Sequence, residues 1–293
     1  MKNLIVRTIT GVIFVAAIVS CFLRPQAMIL LFALITALTT WEFCGLVNDR
    51  VAQTSINRLI CTVAAVYFFL AVCGYVSGLT PTSAVFIPYL LTIVYLFISE
   101  LYLKQKNPLN NWAYTMFSQM YIALPFSMVG VLAFNSGADG NVHFNYLIPL
   151  SVFIFLWVSD TGAYCVGSLI GKHKLFPRIS PGKSWEGSIG GGVFVVAAAC
   201  IISYFDQLQT SNLSESGMQA ASLMPMWKWI GLGLTVCIFG TWGDLVESLF
   251  KRTLGIKDSG NILPGHGGML DRFDSSLMAL PAAVIYLYTV SLV

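Results

Sequence analysis

Charge is what this 293-residue chain has least of: Asp, Glu, Lys and Arg together make up 10% of it, against 57% hydrophobic residues. A soluble domain carries about 25% charged residues, so too few polar side chains exist here to cover a water-facing surface of this size. A disordered chain, a disulfide-stapled secreted fold and a soluble enzyme with a single anchor are thereby excluded. Cysteine is equally uninformative as chemistry. The seven cysteines form no C-x-x-C pair and fall in or beside apolar runs, as free, buried small hydrophobes do. Net charge is only +3, which gives no footing for nucleic acid. With a mean hydropathy of +0.77, the composition describes an all-α, polytopic integral membrane protein.

A membrane-crossing helix needs about 20 mostly apolar residues. Nine segments qualify, near Leu4–Leu23, Ala27–Val47, Leu59–Ser77, Ala84–Leu103, Trp112–Phe134, Tyr146–Ser159, Ser188–Phe205, Trp229–Gly243 and Ser275–Leu292. The sixth and eighth are short because they run into Asp160 and Asp244. Placing the N-terminus in the cytoplasm puts all of the 16 Lys and Arg except Arg24 and Lys228 on the cytoplasmic side. That asymmetry follows the positive-inside rule and requires an odd number of spans, with the C-terminus outside. Lys2 and Arg7 before an apolar run, with Ile18-Val19-Ser20-Cys21 at its end, resemble a signal peptide with a lipoprotein cleavage box. A retained first helix nonetheless gives the better charge distribution.

The chain changes character near residue 145. Residues 1–145 read as transmembrane packing helices joined by short connections, and residues 146–293 as the catalytic portion. Within the first part, Glu42 is the one acid well inside a span. It reads most simply as structural, reaching the interface or pairing with Arg50. The second part has two cytoplasmic loops, 160–187 and 244–274, which hold half of the bases and seven of the 13 acids: Asp160, Glu186, Asp244, Glu247, Asp258, Asp271 and Asp274. No internal repeat is evident, and charges gathered on one face rather than near the midplane argue against a carrier.

Asp271 and Asp274 stand three apart and share a face if a helix begins there. Asp244, at the end of the eighth span, is expected to approach them. Carboxylates gathered in this way repel unless a cation lies between them. Oxygen-only donors suit Mg²⁺, which keeps waters and takes one or two carboxylates plus substrate phosphates; a second cation is left open. Interleaved Lys251, Arg252, Lys257 and Arg272 supply donors that neutralise phosphate oxygens. Gly265, Gly267 and Gly268 would let backbone N–H groups approach phosphate, and His266 would donate to it. In the first loop, Lys183 and Lys172 are candidate phosphate donors, and Ser180 and Ser184 candidate hydrogen-bonding hydroxyls. Asp160 is a candidate metal ligand or an orienting partner for a base. Gly182-Lys183-Ser184 looks like a P-loop tail, but Pro177 stands where the earlier glycine is required. Gly187, Gly190, Gly191 and Gly192 form a small-residue face suited to helix packing.

These residues carry a resemblance. Ser248-x-Phe250-Lys251-Arg252, Lys257-Asp258-x-Gly260 and Pro264-x-His266-Gly267-Gly268-Met269-x-Asp271-Arg272-Phe273-Asp274 resemble the signature of the phosphatidate cytidylyltransferases. Asp160-Thr161-Gly162-Ala163-Tyr164, Gly171-Lys172 and Ser180-Pro181-x-Lys183-Ser184-Trp185-Glu186-Gly187 extend the likeness over the C-terminal half. That family usually has Thr where Ser184 stands. The resemblance implies transfer of CMP from CTP to phosphatidate, giving CDP-diacylglycerol and pyrophosphate, at the cytoplasmic face of a bacterial inner membrane. It implies Asp244 and Asp271 as metal anchors with Asp274 in support. Lys251, Arg252 and Arg272 would be phosphate clamps, and Lys183 would reach the triphosphate. A homodimer is compatible with the family. The nearest alternative is a CTP-dependent kinase of another lipid, such as a polyprenol or phytol kinase. The CDP-alcohol phosphotransferases are disfavoured because Ser275, not Gly, follows Asp274.

Overall fold

A helix satisfies its own backbone polar groups, so apolar runs that must live in lipid form helices. The computed structural model describes residues 2–137, 140–215, 223–260, 262 and 267–291. In chain order the helices begin with α1 (Lys2–Phe22), α2 (Pro25–Arg50), α3 (Arg58–Val76), α4 (Ile87–Leu103) and α5 (Pro108–Ser118). One π turn (Gln119–Ala123) joins α5 to α6 (Leu124–Ala133). Then come α7 (Leu147–Ile170), α8 (Trp185–Glu215), α9 (Met226–Thr253) and α10 (Leu270–Ser291). Among the described residues, strands are confined to two antiparallel hairpins, β1 (Phe134–Ser136) with β2 (Val142–Phe144) and β3 (Lys174–Phe176) with β4 (Ser180–Ser184).

Among the described residues, eight helices are long and apolar enough to cross a membrane: α2, α3, α4 with the turn before it, α5 joined to α6, and α7 to α10. Of the nine expected spans the first is the exception. It is helical over Lys2–Phe22, but its apolar stretch runs only over Thr10–Phe22 within the described side chains. The protein is an all-α, multi-pass membrane protein.

Several helices overrun their expected ends. The sixth span, expected to stop at Ser159, continues to Ile170, and the eighth, expected to stop at Gly243, continues to Thr253. The last begins at Leu270 rather than Ser275. A charged residue ends an apolar run, but it does not end a ladder of i to i−4 hydrogen bonds. Asp160 and Asp244 therefore sit within helices, and the two charged loops shrink to about 171–184 and 254–269.

The chain forms two compact units. One comprises Met1–Leu150 with Phe250–Leu277, the other Ser151–Leu249 with Met278–Val293. The second charged loop and the first two turns of α10 thus lie with the N-terminal helices. That unit is organised around aromatic rings. Phe273 packs against Phe14, Phe32 and Phe126 with centroids at 5.6, 6.4 and 5.5 Å. Phe43 stacks on Phe250 at 5.3 Å. Such pairs add about 0.5–1.5 kcal/mol each beyond area burial, and they fix both ends of the second loop to α2.

In the other unit, glycines let helices close on one another. A Cβ at Gly191 would stand 2.8 Å from the Ser159 carbonyl oxygen, and one at Gly187 2.8 Å from that of Ala163. Gly190 is pressed against Val166. The expected packing face is thus made by Gly187, Gly190 and Gly191 on α8, meeting α7. Gly192 is not part of it, since a Cβ there would meet open space.

Candidate active site

Where α7 and α8 approach, beside the β3–β4 hairpin of the second unit, lies a cavity of about 390 Å³. Asp160 and Tyr164 of α7, Lys183 and Ser184 of β4, Ser188 of α8 and Thr241 of α9 are among its lining residues. The β3–β4 hairpin carries Lys183 to it. His173 closes the hairpin onto α8: its ring Nδ1 stands 2.5 Å from Glu186 Oε1, and its carbonyl accepts the Trp185 N–H at 2.9 Å. Sequence reasoning gave His173 no role; a histidine before a two-residue-alternating run offers no sign of a partner 13 positions away.

Lys183 Nζ lies 2.6 Å from Asp244 Oδ2 and donates to the Thr241 carbonyl at 3.3 Å. An ammonium has three donors, so one remains for a ligand in the cavity. Asp244, about 30% exposed at its side chain, also accepts the Ser248 hydroxyl at 3.1 Å. Ser184 is buried, and its Oγ accepts the Gly187 N–H at 3.2 Å, capping α8. A Cβ at Gly171 would come within 2.6 Å of that Oγ. Ser180 pairs with Phe176 further along the hairpin, and Lys172 is exposed beside it. Neither is among the residues lining the cavity.

The first unit holds the other cluster. Asp271, in the first turn of α10, is clasped on both oxygens. Oδ1 accepts Lys251 Nζ at 2.6 Å, and Oδ2 accepts the backbone N–H groups of Ser259 at 2.8 Å and Gly268 at 2.9 Å. Its side chain is 5% exposed and that of Lys251 13%. Gly267 adopts φ +82°, where a Cβ would lie 2.7 Å from Asp271 Oδ2, so this turn demands glycine. The Gly268 N–H, expected to face phosphate, is engaged by Asp271 instead. Arg252 at the end of α9, Lys257 in the loop and Arg272 in the first turn of α10 are exposed. Asp274 Oδ1 accepts the N–H of Ser275 at 2.6 Å. Gly265 and His266 lie outside the described residues.

Glu42 is the residue that sequence reasoning placed least well. It is 6% exposed, and its carboxylate meets the second loop rather than Arg50. It accepts the Ser259 hydroxyl at 2.5 Å and the N–H groups of Met269 and Leu270 at 2.9 and 3.1 Å.

Among the described residues, no group of three or more His, Cys, Asp or Glu side chains is placed to hold a metal ion. Asp244 belongs to the second unit, and Asp271 and Asp274 to the first. Asp244 and Asp271 are each neutralised by a lysine. Two lone pairs on each carboxylate oxygen leave acceptor capacity at Asp244, which is partly exposed. The donor set therefore fits a cation that keeps waters and shares substrate phosphates, not one enclosed by protein alone.

Residues 5–290 match the family model described as the cytidylyltransferase family. The chain is 32% identical over 285 residues to a protein named phosphatidate cytidylyltransferase from Staphylococcus aureus (strain COL), covering 96% of this chain and 98% of that one. A protein of the same name from Staphylococcus haemolyticus (strain JCSC1435) is similar to the same extent. One from Staphylococcus epidermidis (strain ATCC 12228 / FDA PCI 1200) is 32% identical over 284 residues. The chain belongs to the cytidylyltransferase family, a class of nucleotidyl-transferring enzymes.

Proposed function

We propose that this protein transfers CMP from CTP to phosphatidate, releasing pyrophosphate and forming CDP-diacylglycerol for phospholipid synthesis. Full-length similarity to proteins of that name supports the reaction. The observation in the molecule that carries it is the pair of lysine–carboxylate clusters, Lys183–Asp244 and Lys251–Asp271, at the charged loops of an otherwise apolar protein.

A phosphatidate phosphate oxygen attacks the α-phosphorus of CTP in line. The bond from that phosphorus to the β-bridging oxygen breaks, and pyrophosphate leaves with the electron pair. The nucleophile is already anionic at neutral pH, so no side chain need remove a proton. Repulsion between anions and charge developing on the leaving group make up the barrier, and fixed cations lower both terms. Lys183 is held by Asp244 and Thr241 with one donor to spare, which suits a triphosphate oxygen in the cavity. Lys251 is held by Asp271, and Arg252 and Arg272 supply further cations for phosphate. Asp160, Ser184 and Ser188 offer polar contacts to whatever occupies the cavity. Mg²⁺ would be held at Asp244 together with substrate phosphates, and it would supply charge neutralisation at phosphate oxygens.

We place the protein in the bacterial inner membrane with α1 as a ninth span and with its N-terminus and charged loops in the cytoplasm, supported by the lysine and arginine asymmetry. CTP then arrives from water and the lipid phosphate from the leaflet. Alkaline phosphatase fused to the C-terminus should be active outside the cell; activity only for N-terminal fusions would reverse the orientation. For the reaction itself, purified protein given CTP, phosphatidate and Mg²⁺ should form pyrophosphate and CDP-lipid in equal amounts. Release of CDP would instead identify a lipid kinase.

A further inference from the structure

We infer that Glu42 is a positioning residue for the reaction: from α2 it holds the turn that sets Asp271 against Lys251. The inference rests on the role proposed above for that pair. A buried carboxylate is costly unless its lone pairs are used, and the three hydrogen bonds that Glu42 accepts among the described residues all come from the second loop and the start of α10. Met269 and Leu270 stand at the N-terminus of α10, where backbone N–H groups lack intrahelical acceptors and the helix dipole favours a negative charge. Glu42 accepts both. It thus caps a helix that begins 228 residues further along the chain.

Its third contact passes the constraint on. The Ser259 hydroxyl donates to Glu42 Oε1 and accepts the Asp271 N–H at 3.3 Å. The Ser259 N–H donates to Asp271 Oδ2, as does that of Gly268. With Oδ2 fixed by two amides, Oδ1 is presented to Lys251. A continuous run of hydrogen bonds therefore leads from Glu42 through Ser259 to the Lys251–Asp271 pair.

The glycines of the loop point the same way. A Cβ at Gly260 would stand 2.7 Å from Glu42 Oε2, and one at Gly268 would overlap both Glu42 Oε1 and Ser259 Oγ. Both glycines, one of them expected to approach phosphate, are thus required by the space the Glu42 carboxylate occupies.

The test uses full-length protein purified in detergent, comparing Glu42→Gln, Ser259→Ala, the double variant and Asp271→Asn. Glutamine keeps the size of Glu42 but turns an NH₂ toward a donor, so one hydrogen bond is lost and one donor opposes another. We expect Glu42→Gln to lower kcat by about 10- to 100-fold, with KM for CTP and phosphatidate changed less than about threefold. Ser259→Ala should lower kcat by a smaller factor. The double variant should be no slower than Glu42→Gln alone, because both changes cut one path. A wild-type kcat in Glu42→Gln with only a lowered melting midpoint would make Glu42 purely structural. Fully multiplicative losses would show that it does not act through Ser259. Should Glu42→Gln fail to fold, a wild-type kcat in Ser259→Ala overturns the inference by itself. If Asp271→Asn is inactive while Glu42→Gln keeps a wild-type kcat, only the inference about Glu42 fails; full turnover in Asp271→Asn would remove the assigned role of Asp271.

Discussion

Replacing Asp271 by asparagine exchanges one oxygen for an NH₂ and sets its two groups of contacts against each other. The asparagine oxygen must face either the two amides of Ser259 and Gly268 or the ammonium of Lys251. In either arrangement its NH₂ opposes a donor. If the oxygen stays on the amides, the Lys251 ammonium, 13% exposed, loses the Asp271 carboxylate. Breaking a buried ion pair on one side costs about 3–5 kcal/mol, because the remaining charge is left uncompensated. If that cost falls on the ordered loop that the reaction needs, turnover drops roughly 150- to 5,000-fold, at a factor of ten per 1.36 kcal/mol. The double variant Lys251→Met with Asp271→Asn removes both members of the pair. Its melting midpoint in detergent should therefore return most of the way to that of the parent, while pyrophosphate release at saturating substrates stays as low as in Asp271→Asn. Recovery of turnover along with stability would refute the reasoning, since the pair would then serve folding alone.

The same geometry sets three further outcomes. Lys183→Met removes the ammonium at the cavity and should reduce kcat/KM for CTP by about 10- to 150-fold, one charge-assisted contact at about 1.5–3 kcal/mol; steady-state kinetics at varied CTP would read this directly, and an unchanged value would clear Lys183 of triphosphate contact. Gly187→Val inserts a branched side chain where a Cβ already meets the Ala163 carbonyl at 2.8 Å. It should separate α7 from α8, lowering both the melting midpoint and the rate, whereas Gly192→Ala, which meets open space, should change neither. Removing divalent cations with EDTA should stop turnover, and adding back Mg²⁺ should restore it; activity that survives chelation would rule out the proposed metal.

Much of the architecture was legible because lipid imposes a simple rule, and eight of the expected spans are present as helices. Their ends were harder to read. Asp160 and Asp244 interrupt hydropathy, yet Leu169 and Ile170 after the one and Leu249 and Phe250 after the other carry the helices on for two turns or more. The glycine pattern at 187–191 correctly suggested close packing, since only small residues permit it. The lysine–carboxylate pairs were only partly visible: the residues stood out by type, but Lys183 and Asp244 are far apart in the chain, and nothing local pairs them. Glu42 shows the limit most clearly. An acid inside a helix announces that something must satisfy it, but its partners at 259, 269 and 270 are fixed by tertiary packing, through Phe43 on Phe250 and Phe32 on Phe273.

The central claim is that the α-phosphorus of CTP, and not the γ-phosphoryl group, moves to the lipid. Purified protein in phosphatidate-containing detergent micelles, supplied in parallel with CTP radiolabelled at the α or the γ position, tests it most directly. Transfer of CMP predicts that α-label enters the lipid and γ-label appears in pyrophosphate. Gamma-label in the lipid, with unlabelled CDP released beside it, would contradict it.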